Sequence, residues 1–188
     1  MGKTNYTKKI IDDYCVIDTE TTGLSATYDE IIEIGILKVR NGIIVERYSQ
    51  LIHPHKRISK FITDLTGITN KMVMGMPSID EIEDDVLDFI GDDIIIGHNT
   101  SFDMRFLNAH FTHSLDNKYM DTVQFARKLY PELRRYSLTD MTRYLGLSNN
   151  EHRALADCVS TQELYERMKE TMYDRGLQLC DLWKNYKD

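Results

Sequence analysis

The run YCVIDTE, residues 14–20, decides the fold prediction, because it is a short apolar segment that ends in two carboxylates one residue apart. Such a run is typical of a buried β-strand, which we predict over residues 14–19. Side chains at positions i and i+2 of a strand point to the same face, so Asp18 and Glu20 should project together. Two adjacent carboxylates repel each other unless a proton or a cation lies between them. Taken alone, the pair is equally compatible with a solvated strand end.

The sequence after this run predicts two more strands and a helix. Residues 32–37 alternate with period two, and Asn41-Gly42 is a strong hairpin signal that leads into a strand over residues 43–52. Ser78 and Glu81 form a capping box, and apolar residues follow it at helical spacing.

The second half of the chain predicts strands that alternate with helices. Strands are expected at residues 93–97 and 119–121, and helices at residues 101–111, 122–129 and 137–145. A long final helix carries Ala154, Cys158, Thr161, Tyr165, Met168 and Met172 on one face. Three strands with a hairpin, followed by alternating strands and helices, indicate an α/β fold in which helices cover a mixed sheet.

The composition is that of one ordinary globular domain, with 188 residues, 41% of them hydrophobic. Cys15, Cys158 and Cys180 are scattered without a C-x-x-C pair, which argues against a disulfide framework or a zinc cluster. Residues 1–13 are polar and unlike a secretory signal, and no run approaches the roughly 18 apolar residues of a membrane span. We therefore expect a cytoplasmic protein that does not enter a membrane.

The net charge of −7 restricts how this chain could bind nucleic acid. Proteins that bind nucleic acid by neutralising phosphates with their own side chains are usually basic. The chain therefore either does not bind nucleic acid or uses bound cations to do so.

A second polar segment, HNTSFD at residues 98–103, directly follows the isoleucines of the strand at 94–96 and begins a helix. Asn99 or Ser101 is the expected N-cap of that helix. Taken alone, Asp103 is explained as a first-turn acid that complements the helix dipole.

A third segment, HRALAD at residues 152–157, precedes and enters the last helix. A separation of five residues does not place His152 and Asp157 on one helical face, because they differ by about 140°. The pair can act together if His152 lies in the loop just before the helix and Asp157 lies inside it. A neutral imidazole is a suitable general base near neutral pH, although an ordinary exposed histidine is the alternative.

In their order and surroundings, the three segments resemble the motifs of the DnaQ-like DEDDh 3′→5′ exonucleases, a family that includes the epsilon proofreading subunit of bacterial DNA polymerase III. The matching segments read VIDTETTGL at 16–24, HNTSFD at 98–103, and HRALAD at 152–157, which fits the H-x-A-x-x-D form. LTGIT at 65–69 and YSL at 136–138 extend the resemblance, which covers residues 14–168.

This resemblance implies a ribonuclease H-like fold, with a five-stranded mixed sheet flanked by helices. It implies one exonuclease domain over residues 1–188, with a motif-bearing core at about 14–172 and a helical tail at 173–188. The family's cofactors are two divalent cations, Mg²⁺ or Mn²⁺, which prefer oxygen ligands. The family's catalytic positions fall on four metal-binding carboxylates and one general base: Asp18, Glu20, Asp103, Asp157 and His152.

The resemblance also suggests substrate contacts. Main-chain groups near Thr21 and the side chain of Leu24 are expected to hold the terminal nucleotide, and His98 and Asn99 to shape its pocket. Phe102 is expected to stack on a base or sugar, with core packing as the alternative. Thr66 stands where many family members have histidine. The candidates for phosphate contacts are arginines that are equally explained as solvated surface charges: Arg105, Arg134, Arg135 and Arg153.

Three functions stay open at this point. The first is a DNA exonuclease that acts on single-stranded or mismatched 3′ ends in proofreading or repair, and the DTETTG form of the first motif favours it. The second is an RNA-trimming exoribonuclease of the same superfamily, since sugar choice depends on 2′-OH contacts. The third is a non-catalytic module that binds nucleic acid or a DNA polymerase, which the five intact catalytic positions disfavour. A polymerase partner and a monomeric or homodimeric state are both compatible with the sequence.

Overall fold

The fold is a mixed five-stranded sheet with helices on both faces, seen in a computed structural model that describes residues 6–7, 9–147 and 152–183. The strands are β1 (Tyr14–Thr21), β2 (Ile31–Arg40), β3 (Ile43–Leu51), β4 (Ile95–Gly97) and β5 (Tyr119–Asp121). Their order across the sheet is β3-β2-β1-β4-β5, in which β2 is antiparallel to both neighbours, and β4 is parallel to β1 and β5. The predicted sheet is thereby confirmed.

Four of the five strands end at the same edge of the sheet. Because β2 runs opposite to both β1 and β3, those two strands share one direction, and β4 and β5 follow β1. We call the edge where these four strands end the carboxyl edge. Ligands of open α/β sheets commonly bind outside such an edge, where the loops that leave the strands meet.

The helices are α1 (Lys60–Thr66), α2 (Asn70–Val73), α3 (Ile79–Ile90), α4 (Ser101–His110), α5 (Thr122–Leu129), α6 (Leu138–Leu145), α7 (Ala154–Asp174) and α8 (Leu179–Leu182). The capping box of Ser78 and Glu81 is present at the start of α3, as predicted. The predicted caps of α4 are wrong, because Thr100 occupies its N-cap position. Asn99 instead has a left-handed backbone, with φ of 73°.

Two hydrophobic clusters lie on opposite faces of the sheet. Tyr14 and Val16 of β1 pack with α5, α6 and α7, whereas Cys15 and Ile17 pack with α3 and α4. β2 likewise buries both faces, since Leu37 and Val39 belong to the first cluster and Ile34 and Ile36 to the second. This explains why its apolar residues do not simply alternate with polar ones.

The described part of the carboxyl-terminal tail packs on the domain. Leu182 and Trp183 are buried in the first cluster, and the Trp183 ring lies 5.9 Å from that of Phe125. This part of the tail therefore packs on the core, while residues 184–188 lie outside the described residues. No described helix is both long and apolar enough to cross a membrane.

Candidate functional site

Three carboxylates meet at the carboxyl edge of the sheet. Asp18 and Glu20 lie at the end of β1, and Asp157 lies in the first turn of α7. One oxygen atom from each carboxylate can be chosen so that all three lie within 4.8 Å of one another. The i and i+2 positions on β1 thus project together as predicted, and α7 brings the third acid to the same place. We call Asp18, Glu20 and Asp157 the carboxylate cluster.

Asp103 approaches this cluster from α4, but its side chain is bonded to β1. It is only 4% exposed, and its Oδ1 accepts hydrogen bonds from the Thr19 amide at 3.0 Å and the Thr19 hydroxyl at 2.7 Å. Its charge is close enough to raise the pKa of Asp18. Asp103 therefore belongs to the electrostatic environment of the cluster, although it is not among the three carboxylates that converge.

Burial and mutual repulsion raise the pKa values of the carboxylates at this site. Burial, followed by repulsion from Asp103 and Asp157, holds the pKa of Asp18 well above its usual range. Burial and then Asp157 and Glu33 raise the pKa of Glu20 to about 8. Burial raises the pKa of Asp103 to about 7, against the opposing effect of its bonds to Thr19. Such a group must take up protons or bind a cation at neutral pH, and its oxygen donors suit Mg²⁺ or Mn²⁺.

Glu33 is a buried acid that the sequence analysis missed. It pairs with Glu20 across β1 and β2, and it is 2% exposed. Its carboxylate accepts hydrogen bonds from Arg153 Nη2 at 2.6 Å, Arg153 Nε at 3.0 Å and the Ala154 amide at 3.0 Å. Arg153, one of the candidates for a phosphate contact, thus forms an internal ion pair with Glu33, and its phosphate contact stays a prediction. The available signal was an acid within an apolar strand, because a buried charge requires a partner.

Gly35 lets α7 approach the sheet closely. It pairs with Asp18, and a Cβ atom at this position would lie 2.5 Å from the Ala154 carbonyl carbon and the Leu155 nitrogen. Any side chain would therefore push the start of α7 away from β2. Since Asp157 lies one turn into α7, this contact sets its distance from Asp18.

His152 lies in the loop just before α7, where the sequence analysis required it to be. It is exposed and has a left-handed backbone, with φ of 52°. Asp157 lies inside the helix, as predicted. His152 borders residues 148–151, which are outside the described residues.

His98 lies at the end of β4 and fastens the segment that precedes α6. Its Nε2 lies 2.7 Å from the Tyr136 carbonyl oxygen, and its Nδ1 lies 2.9 Å from the Thr122 hydroxyl. Burial lowers the pKa of His98, which favours the neutral ring. A carbonyl can only accept a hydrogen bond, so Nε2 carries the proton of that ring. The next residue is Asn99, whose main-chain amide donates a hydrogen bond to Asp121 Oδ1 at 3.0 Å.

The remaining predicted substrate contacts differ in their exposure. Leu24 is 82% exposed in the loop after β1, whereas the buried Thr21 donates its hydroxyl hydrogen to the Gly23 carbonyl. Phe102 is half-buried and stacks near Phe106, with ring centroids 4.8 Å apart, so it combines core packing with a partly exposed ring.

Thr66, another predicted substrate contact, has a side chain that is hydrogen-bonded to the backbone of its own segment. It is 3% exposed, and its hydroxyl donates to the Ile62 carbonyl and accepts from the Ile68 amide. The hydroxyl thus completes the end of α1, and the substrate contact of Thr66 stays a prediction. Among the predicted phosphate contacts, Arg134 and Arg135 are exposed before α6, and Arg105 donates to the Ser101 carbonyl within α4.

The family model and the relatives that match this chain are an exonuclease family and DNA polymerase III proteins. A model of the exonuclease family RNase_T matches residues 15–165. The epsilon subunit of DNA polymerase III from Aquifex aeolicus is 36% identical over 165 residues, which cover 85% of this chain and 82% of that protein. A PolC-type DNA polymerase III from Clostridium perfringens is 41% identical over 169 residues, which cover 86% of this chain.

The structural comparison agrees. Exonuclease X, solved in complex with duplex DNA that has a 5′ overhang, superposes with a TM-score of 0.67 and 28% identity, covering 91% of this chain and 98% of that one. The chain spans only 12% of the length of the PolC-type relatives. Its match to the family model extends over most of its length, and its mixed sheet is that of ribonuclease H-like exonucleases. The chain belongs to the RNase_T exonuclease family.

Proposed function

We propose that this chain is a metal-dependent 3′→5′ exonuclease domain that hydrolyses the terminal phosphodiester of DNA. Its substrates would be single-stranded or mismatched 3′ ends, its products nucleoside 5′-monophosphates, and its role proofreading or repair. The observation that carries this proposal is the convergence of Asp18, Glu20 and Asp157 within 4.8 Å. Arg153 lowers the pKa of Glu20 less than burial and the neighbouring carboxylates raise it, and its guanidinium is bound to Glu33.

Asp18, Glu20 and Asp157 would hold the first of two divalent cations. Asp103 would support the second while its side chain remains bonded to Thr19. When bound, two such cations supply electrophilic stabilisation of the charge that develops on the phosphate. They also explain how a chain with a net charge of −7 can bind a polyanion. Either Mg²⁺ or Mn²⁺ fits these oxygen donors.

The other residues would place the reacting groups. His152, exposed beside the start of α7, would accept the proton of the attacking water as general base. The exposed Leu24 would press against the terminal base, and the main chain near Thr21 would contact the same nucleotide. His98 would act indirectly, because its bond to the Tyr136 carbonyl holds the loop that borders the carboxyl edge.

DNA is the substrate that we favour because a relative that matches over 82% of its own length is an epsilon subunit of DNA polymerase III. A polymerase partner and a cytoplasmic location belong to the same proposal. Hydrolysis of RNA would instead require tolerance of the 2′-OH near the terminal nucleotide.

The test is digestion of 5′-labelled single-stranded DNA and an RNA of the same sequence, each with Mg²⁺, with Mn²⁺ and with EDTA. We expect stepwise shortening from the 3′ end in either metal, none in EDTA and none with Asp18→Ala. Faster digestion of RNA than of DNA would assign the trimming function instead. Absence of shortening by folded protein in every condition would reject the enzyme and leave the binding module.

A further inference from the structure

The segment that follows β3 starts beside the carboxylate cluster. Glu20, Glu33 and Leu51 form one row across β1, β2 and β3. Neighbouring strands are about 4.8 Å apart, so the end of β3 lies about 10 Å from Glu20. Because β3 ends at the carboxyl edge, the chain from residue 52 onward emerges on the side of the sheet where the cluster lies.

This segment has the opposite charge to the rest of the chain. Residues 56–71 contain four basic residues and one acidic residue, within a chain of net charge −7. Arg57, Lys60 and Lys71 line a cleft of about 660 Å³ between α1 and α2. We call this the basic cleft. Lys60 is paired with Asp64 at 2.6 Å, whereas Arg57 and Lys71 are exposed and have no ion-pair partner within the described part of the chain.

Exposed apolar side chains accompany these charges. Phe61 is 73% exposed and Leu65 is 46% exposed, one helical turn apart on α1. Exposed aromatic rings and exposed cations carried by one segment are the groups with which proteins bind single-stranded nucleic acid, since bases stack on the rings and phosphates contact the cations.

The basic cleft is fastened to the loop that follows Asp18 and Glu20. Glu30, at the end of that loop, accepts hydrogen bonds from the amides of His55 and Lys56. The Lys56 ammonium donates to the Tyr28 carbonyl in the same loop. The loop that carries the exposed Leu24 and the segment that carries the basic cleft are therefore joined by hydrogen bonds between residues 28–30 and 55–56.

We propose that the basic cleft binds the phosphates of the nucleic-acid strand upstream of its 3′ end, and that Phe61 stacks on one of its bases. This rests on the proposed function for placing the 3′ end at the carboxylate cluster. The two sites attract phosphate differently. The carboxylate cluster does so only through bound cations, whereas the positive charges of Arg57 and Lys71 do so directly. An acidic protein surface is the other partner that such a cleft could bind, and the test distinguishes the two.

The test is binding of a fluorescent oligothymidylate of about 20 nucleotides, in EDTA, so that the cluster contributes no attraction. The variant is Arg57→Glu with Lys71→Glu. The control is Arg47→Glu with Lys118→Glu, which changes the net charge equally. Arg47 lies in the middle of β3, and Lys118 directly precedes β5 at the edge opposite the cluster.

We expect the cleft variant to bind roughly tenfold or more weakly, and the slope of log affinity against log salt to fall by about 1.4 for two lost contacts. Phe61→Ala should weaken binding while leaving that slope unchanged. In turnover with Mn²⁺, the cleft variant should have a raised KM for the long substrate and an unchanged kcat for a dinucleotide, which is too short to reach the cleft.

An unchanged affinity and slope in the cleft variant would overturn the proposal and point to a protein partner. Equal losses in the control variant would also overturn it, because they would show a general effect of charge. Since binding in EDTA needs no hydrolysis, wild-type protein that binds through the cleft but digests nothing would reject only the proposed function.

Discussion

Glu20 and Glu33 face each other across β1 and β2, yet their surroundings differ in the one respect that matters for chemistry. Glu33 is bound by a guanidinium and a main-chain amide. Glu20 lies among Asp18 and Asp157 instead, and its pKa rises to about 8. The protein therefore neutralises Glu33 with its own guanidinium and amide groups, whereas burial and the neighbouring carboxylates raise the pKa of Glu20. The first arrangement fastens α7 to the sheet, and the second makes a site that needs a cation.

The largest effect should follow from removing an acid of the cluster. Asp18→Asn should lower turnover by about 10³-fold or more, because the charge stabilisation that a divalent cation supplies is worth several kcal/mol. Single-turnover digestion of 5′-labelled DNA measures this. The exposed Asp84→Asn on α3 is the matched control and should retain full activity. Comparable activity in Asp18→Asn would remove Asp18 from the site.

A smaller loss of activity should follow from moving α7 without touching an acid. Gly35→Ala places a Cβ atom against the α7 backbone, and a displacement of about 1 Å at a reacting group can cost about 10²-fold in rate. The Mn²⁺ dependence of kcat and KM measures it. Ser49→Ala, at the β3 partner of Gly35, is the control. If Gly35→Ala had normal activity, the close contact would not position Asp157.

Removing the ion pair between Glu33 and Arg153 should affect the stability of the protein more than its activity. Glu33→Gln leaves Arg153 without its carboxylate, which we expect to lower the free energy of unfolding by about 2 kcal/mol. Urea unfolding measures the loss, with the exposed Glu46→Gln on β3 as control. Adding Arg153→Met should cost less in Glu33→Gln than in the wild type. Strict additivity would show that the ion pair contributes nothing.

The smallest effect is a dependence of metal-free stability on pH. Between pH 6.5 and 8 the folded protein retains protons on Glu20, whose pKa is about 8, and on Asp103, whose pKa is about 7, whereas the unfolded carboxyls have released theirs. The free energy of unfolding should therefore fall as pH rises through this window. The lowered pKa values of Glu30 and Glu83 affect stability only below this window, and the lowered pKa of His98 opposes the fall at its lower end, where an unfolded histidine still titrates.

Thermal unfolding in EDTA at both ends of this window measures the effect, and each lost kcal/mol should lower Tm by about 2–4 °C. Saturating Mn²⁺ should remove the dependence, and Asp18→Asn should reduce it. A Tm that rose with pH in EDTA would contradict the description of the cluster.

The sequence predicted what depends on local pattern. The strands, the capping box at Ser78 and the shared direction of Asp18 and Glu20 follow from spacing along one element, and all are present. The motif resemblance supplied the family. It did not supply Glu33 or Gly35, because their roles depend on contacts with the start of α7, about 120 residues away in the chain.

The contacts that the sequence did not predict have the same physical origin. Arg153 and Thr66 are polar residues in motif segments, so a surface role was the natural prediction for both. Their real partners, Glu33 and the turns at the end of α1, are fixed only when the chain folds. A buried polar group must be hydrogen-bonded, and the partner cannot be identified from spacing alone.

The most direct measurement is a calorimetric titration of Mn²⁺ into metal-free protein in the presence of thymidine 5′-monophosphate, the expected type of product. We expect two ions to bind per chain in the wild type and in Asp84→Asn, and binding to be lost in Asp18→Asn. No binding by folded wild-type protein, or identical binding by Asp18→Asn, would contradict the assignment of the carboxylate cluster as the cation site of an exonuclease.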